Sequence, residues 1–161
     1  MQLKEISQIG IVVKNIKNAM KYYWEMFSIG PWRVYTYKPP KLTETIVRGK
    51  FEPYSMRLAF TMVGPLMLEL IEPLEGNSIY KEFLNERGEG IHHIASYAIE
   101  DIDKALANLE KEGIKVLQSG KYHDEKFEAF FAYLDTEDKL GYVVELVKLK
   151  GERPKPEEVY P

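Results

Sequence analysis

Four polar residues stand in strand-like runs that are otherwise largely apolar: Gln8 in SQIGIVV, Glu69 in LMLELIEP, His93 in GIHHIASYAI and Glu145 in GYVVELVK. An unpaired carboxylate is costly to bury in such a run, so each acid needs a partner. Together the four offer one imidazole nitrogen and three oxygen donors. That set suits a divalent ion of intermediate hardness (Co, Ni, Mn, Zn or Mg) in five- or six-coordinate geometry, with positions left for water or substrate. The chain has no cysteine, which excludes both disulfides and a Cys-rich structural zinc site. Of the three histidines, His93 shares a strand face with Ala95 and Tyr97 and is the expected ligand. Alternation turns His92 the other way, as a supporting or surface residue, and His123 in KYHDEK is expected in a solvated turn.

The elements that must position these residues repeat along the chain. SQIGIVV reads as a strand, and Asn15 caps a helix whose Ile16, Ala19, Met20, Tyr23 and Phe27 fall at helical spacing, ended by Gly30 and Pro31. PWRVYTYK alternates like a strand, with Trp32 and Tyr35 on opposite faces. PPKLTETIVRGKFEPY then reads as the longest irregular loop, and SMRLAFTMV and LMLELIEP form a hairpin across Gly64 and Pro65. A second strand, GIHHIASYAI, precedes a helix capped by Asp101 and stopped by Gly113. Three further strand-like runs follow, IKVLQ, EAFFAYLD and GYVVELVK, with Gly120 and Gly141 in the turns. Laying QIGIVV on HIASYA pairs Gln8 with His93, and laying LMLELIEP on YVVELVK pairs Glu69 with Glu145. Two β-α-β-β-β modules are therefore expected, with an α+β fold. The first covers residues 1–75, a linker helix 76–90 starts at Ser78, the second module covers 91–149, and a proline-rich tail, 150–161, is loosely ordered unless it docks.

Composition narrows the partners. A formal net charge of -3 without a dense basic stripe argues against nucleic acid. No apolar run approaches the roughly 20 residues that a membrane helix needs. MQLKEISQIG lacks the marks of a signal peptide, so a cytoplasmic location is expected. A small-molecule substrate is the remaining class.

These segments resemble the vicinal oxygen chelate superfamily, which includes glyoxalase I and methylmalonyl-CoA epimerase. The resemblance spans about residues 6–148 and is carried by QIGIVVKNIKNAMKYY, LMLELIEPLEGNSIYKEFLNERGEGIHHIA and LGYVVELV, the middle segment looking most like the epimerase branch. It implies a cup-shaped mixed sheet, a homodimer, and an isomerase or epimerase that abstracts a proton next to a carbonyl of a metal-chelated substrate. It also implies that Glu145 serves as ligand and base, and that Glu52 in FEPYSMR is a second acid or base, beside its plainer reading as an exposed loop glutamate. An acyl-CoA substrate would place its phosphates near Lys38, Lys41, Arg48 and Lys50, which otherwise are simply solvated. Gln8 departs from the histidine that epimerases usually carry there and matches some glyoxalases I. A lactoylglutathione lyase-like isomerase and a metal-free binding or resistance protein are the alternatives; a ring-cleaving dioxygenase, which needs a second histidine ligand, fits poorly.

Overall fold

A computed structural model describes residues 2–161. In the first half, β1 (Gln8–Val12) leads into α1 (Ile16–Phe27), then β2 (Trp32–Tyr37), β3 (Leu42–Val47), β4 (Lys50–Phe51), β5 (Met56–Val63) and β6 (Leu66–Pro73). α2 (Ile79–Arg87) links to the second half: β7 (Gly90–Ser96), α3 (Ile102–Lys111), β8 (Val116–Asp124), β9 (Phe127–Leu134), α4 (Glu137–Leu140), β10 (Val143–Gly151) and β11 (Glu158–Tyr160). The strands form one mixed sheet in the order β11-β2-β5-β6-β1-β7-β10-β9-β8-β3-β4.

Its two halves, β2-β5-β6-β1 and β7-β10-β9-β8, mirror one another in strand order. In each half the first and last strands pair in parallel, β1 with β6 and β7 with β10, and the halves join through antiparallel β1 and β7. The two modules thus pair within one chain. Each half hides its outer face beneath its own helix: Ile16 and Met20 of α1 pack with Val34 and Leu70, and Ile102 and Ala105 of α3 pack with Val144 and Leu146. Both helices start as their caps dictate, with Asn15 accepting from the Asn18 N–H and Asp101 from the Lys104 N–H. Trp32 lies fully buried under α1 against Tyr23, its indole N–H donating to the Ile29 carbonyl, while Tyr35 faces the other side into the cup. Truncating Trp32 to alanine would cost about 3–5 kcal/mol.

Curling of the sheet makes the cup. Tyr37 on β2 and Tyr122 on β8 belong to strands near opposite ends of the sheet, yet their rings stack at 3.7 Å and 8°. The concave side is therefore enclosed by aromatic and aliphatic side chains, a setting in which any charged group must be paired.

Four local expectations are corrected. The long loop contains β3 and β4, and β3 pairs with β8, so this insertion of the first module extends the sheet edge of the second. Helix α1 stops before Gly30, at Ser28, which takes the left-handed conformation and donates its N–H to the Trp24 carbonyl. Gly120 lies inside β8 opposite Phe131, and the turn falls at Glu125 and Lys126. The tail is not loose: residues 158–160 pair with β2, and Glu157 accepts from both the N–H and the hydroxyl of Thr36, each at 2.8 Å. Proline content misled here, because prolines 154 and 156 stiffen a crossing segment that is anchored beyond them.

Candidate metal centre

Register places the four polar residues in two rows across the middle of the sheet. In one row Glu69 on β6, Gly10 on β1 and His93 on β7 are direct neighbours. In the other, Glu145 on β10, Ala95 on β7 and Gln8 on β1 are neighbours in the same way. Each row runs acid, small residue, nitrogen- or amide-bearing residue, and the two rows are related by the module repeat. The small residue in the middle leaves room above the sheet. A Cβ added to Gly10 would lie 1.9 Å from His93 Cε1, so the imidazole itself occupies that space.

All four side chains are buried: Gln8 is 1%, Glu69 6%, His93 0% and Glu145 4% exposed. His93 Nε2 lies 3.4 Å from Glu69 Oε2 and 3.2 Å from Glu145 Oε2. Potential ligand atoms of Glu69, His93 and Glu145 all fall within 4.8 Å of one another. Gln8 Nε2 donates to Glu69 Oε2 at 2.5 Å, and Gln8 Oε1 accepts from the Tyr97 hydroxyl. The cup thus holds two carboxylates and one imidazole, with an amide braced between a carboxylate and a phenol.

The electrostatics are those of a site built around positive charge. Burial raises the Glu69 carboxyl above its usual range, a rise that the His93 hydrogen bond opposes and the Glu145 charge reinforces. Burial alone would lower the His93 pKa, but the flanking carboxylates of Glu145 and Glu69 outweigh it and hold the imidazole at about 9. His93 Nε2 and Glu145 Oε2 face one another at 3.2 Å as an ion pair, yet neither makes a well-directed hydrogen bond. Charge, rather than well-directed hydrogen bonds, is what compensates these groups for their lost hydration. A divalent cation held by Glu69, His93 and Glu145 would satisfy both and offset the opposed carboxylates, so the donor set fits a metal. Gln8 can join only by turning Oε1 away from Tyr97.

His92 takes the supporting rather than the surface place, though not by the alternation expected of it. The register between β1 and β7 shifts after Gly10, which faces His93, so that Ile11 faces Ile91 and His92 is the extra residue of a bulge. Alternation fails there. His92 is buried, meets Tyr80, Phe83 and Tyr133 edge-on, and puts its Nδ1 3.1 Å from His93 Nδ1. Burial drives its pKa well down, so His92 is a neutral ring that can accept from an Nδ1–H of His93 and leave Nε2 of His93 toward the carboxylates. His123 lies on β8 itself and is exposed, with the turn just beyond it.

Glu52 is not brought to this cluster. It lies beyond β4, within 3.4 Å of Asn77, and lines a separate surface cleft with Arg48, Lys50 and Lys81. Arg48 is engaged there by Glu82 in a two-pronged pair. Two residues of the cup were given no functional role from the sequence: Tyr97, named there only as sharing the His93 strand face, and Arg153, which reaches the cup from the tail. Face parity on β7 was the available signal for Tyr97; none pointed to Arg153.

Comparison with known proteins agrees with this architecture. A family model described as Glyoxalase/Bleomycin resistance protein/Dioxygenase superfamily matches residues 7–133. The chain is 26% identical over 151 residues to the uncharacterized protein YqjC of Bacillus subtilis (strain 168), covering 94% of this chain and 96% of that protein. A hypothetical protein of Bacillus halodurans C-125 superposes with a TM-score of 0.65 at 23% identity, covering 94% of this chain and 97% of that one. A methylmalonyl-CoA epimerase variant of Streptomyces coelicolor, in complex with 2-nitronate-propionyl-CoA, gives 0.64 at 24% identity, covering 91% and 95%. At these identities the structural likenesses show a shared fold.

Proposed function

The chain belongs to the glyoxalase/bleomycin resistance protein/dioxygenase superfamily, and from that premise we propose that it is a metal-dependent enzyme of proton transfer next to a carbonyl, acting as an epimerase on a 2-carboxyacyl thioester such as methylmalonyl-CoA. The observation that carries the reading is the convergence of three buried groups, Glu69, His93 and Glu145, with potential ligand atoms within 4.8 Å of one another in an apolar cup. Glu69, His93 and Glu145 would hold the ion, with Gln8 as the fourth ligand once its amide turns. A bound divalent ion supplies the positive charge that stabilises an oxyanion formed when the neighbouring C–H is deprotonated.

The chain's own residues supply the rest. Glu145 places a carboxylate in the cup, and with one oxygen given to the ion the other would take a proton from substrate carbon. Tyr97 and Tyr133 line the same cavity, and burial keeps both hydroxyls protonated as donors. Tyr80 donates to the Tyr133 hydroxyl at 2.8 Å, which leaves the Tyr133 proton available to the cavity. Phe131, Leu58 and Met56 exclude water around the acids, so a proton removed there exchanges under the control of these groups. Support for an acyl-CoA substrate comes from the epimerase of similar fold, whose structure holds an acyl-CoA.

The test is proton exchange at C2 of methylmalonyl-CoA in heavy water, followed by NMR with metal-stripped and cobalt-reloaded protein. Cobalt-dependent deuterium incorporation is the expected result; none, with cobalt bound in the same sample, removes the acyl-CoA epimerase reading. Gln8 in the first ligand position favours a glyoxalase I type isomerase as the second reading, and isomerisation of a methylglyoxal hemithioacetal by the same sample would select it.

A further inference from the structure

After β10 the chain turns at Gly151, where φ is +81° and a Cβ would lie 1.9 Å from the Lys126 carbonyl oxygen. It then crosses to the far edge of the first half and pairs as β11 with β2. Both ends of this strap are pinned, the near end by Glu152 N–H on the Lys126 carbonyl and the far end by Glu157 on Thr36. Between them lies Arg153-Pro-Lys-Pro. Two prolines restrict the backbone, so Arg153 is delivered to a defined place.

That place is the cup. Arg153 lines the same cavity as Gln8, Glu69, Tyr97 and Glu145. Its guanidinium carbon sits 4.2 Å from the centre of the Phe60 ring, 5.3 Å from Phe127 and 5.6 Å from Tyr35, and its Nη1 donates to the Tyr37 hydroxyl at 3.4 Å. Among the described residues no carboxylate lies within 4.0 Å of it. An arginine with aromatic walls and only a long hydrogen bond to a neutral phenol has most of its donors unspent, and those donors match a carboxylate best. Charge balance points the same way. A divalent ion with Glu69 and Glu145 sums to zero, which leaves Arg153 as the uncompensated charge of the cavity.

We propose that Arg153 is a substrate-binding residue, carried on the C-terminal strap, that selects ligands presenting a carboxylate beside a carbonyl or hydroxyl oxygen. The inference rests on the metal-centre reading above and assigns recognition of the ligand's carboxylate to a residue outside the metal ligands.

The test compares pyruvate with pyruvamide, its uncharged analogue, by calorimetry on cobalt-loaded wild type, Arg153→Met and Arg153→Lys. Expected are preferential binding of pyruvate by wild type, a loss of about 10- to 100-fold in pyruvate affinity for Arg153→Met, and an intermediate value for Arg153→Lys, with cobalt uptake and pyruvamide affinity unchanged. Equal loss for acid and amide, no loss for the acid, or a wild type that does not prefer the acid overturns the assignment. Should Arg153→Met not fold, the Arg153→Lys and wild-type comparison decides by the same criteria. Acid-selective, Arg153-dependent binding without exchange at C2 of methylmalonyl-CoA supports the clamp and removes only the epimerase reading; failure of wild type to bind cobalt overturns both.

Discussion

The His93 imidazole fills the volume that a side chain on Gly10 would take, across the antiparallel pair of β1 and β7. Glycine at position 10 is therefore a condition for the His93 placement on which the proposed metal centre depends. In Gly10→Ala the new methyl meets a buried ring with no solvent to move into, and overpacking of this kind costs about 1–3 kcal/mol. The expected outcome is a folded protein with a lowered melting temperature and cobalt affinity weakened at least tenfold, read by thermal denaturation and cobalt titration. Unchanged cobalt affinity would mean that His93 does not ligate from this position.

A second expectation concerns pH. In the metal-free protein His93 is held at about 9 against 6.5 for the free side chain, so between these values the folded state keeps a proton that the unfolded chain releases. Its contribution is fully present below pH 6.5 and is lost as pH rises to 9, about 3 kcal/mol over the window. Metal-free protein should therefore melt at progressively lower temperature from pH 6.5 to 9, and cobalt should reverse the trend because it replaces the proton between the same acids. Glu145→Gln removes one of the charges that raise His93, so its metal-free melting profile should be flatter. A wild-type profile with no decline would contradict the ion-pair account.

Glu145→Gln also separates ligand from base. At saturating cobalt, loss of a ligand is compensated and loss of a base is not. Deuterium exchange at C2 of methylmalonyl-CoA should remain depressed by about 10²- to 10⁴-fold in this variant even when cobalt occupancy is complete. Recovery of exchange on saturation would make Glu145 a ligand only.

Much of this centre was legible because a duplicated unit with strand periodicity brings equivalent positions together. Gln8 with His93 and Glu69 with Glu145 follow from matching one half to the other, and β-strand parity puts each on the inner face. What stayed hidden was nonlocal or irregular. The His92 bulge breaks parity by one residue, and nothing in GIHHIAS marks it, because its cause is the register of β1. β3 and β4 read as loop because their pairing partner is β8, far along the chain, and Glu44 and Arg48 take positive φ that interrupts the alternation. Arg153 looked like part of a solvated tail because its environment is made of Phe60, Phe127 and Tyr35 from three different strands.

The Tyr97 hydroxyl decides what Gln8 can do. It donates to Gln8 Oε1, while Gln8 Nε2 donates to Glu69, so the amide turns its nitrogen rather than its oxygen toward that carboxylate. If Gln8 is to be the fourth ligand, binding of the ion must break the Tyr97 bond, and the metal then satisfies the oxygen in its place. Tyr97→Phe leaves a buried amide oxygen unpaired in the metal-free protein, a loss of about 1–3 kcal/mol, and that penalty disappears on loading. Thermodynamic linkage turns this into a gain for the variant, which should be less stable than wild type without metal yet bind cobalt about 5- to 150-fold more tightly. Thermal melts with and without cobalt and a cobalt titration measure both sides of the cycle. A weaker cobalt affinity in Tyr97→Phe would give the opposite assignment: Gln8 would act through its hydrogen bond to Glu69, and the ion would rest on Glu69, His93 and Glu145 alone.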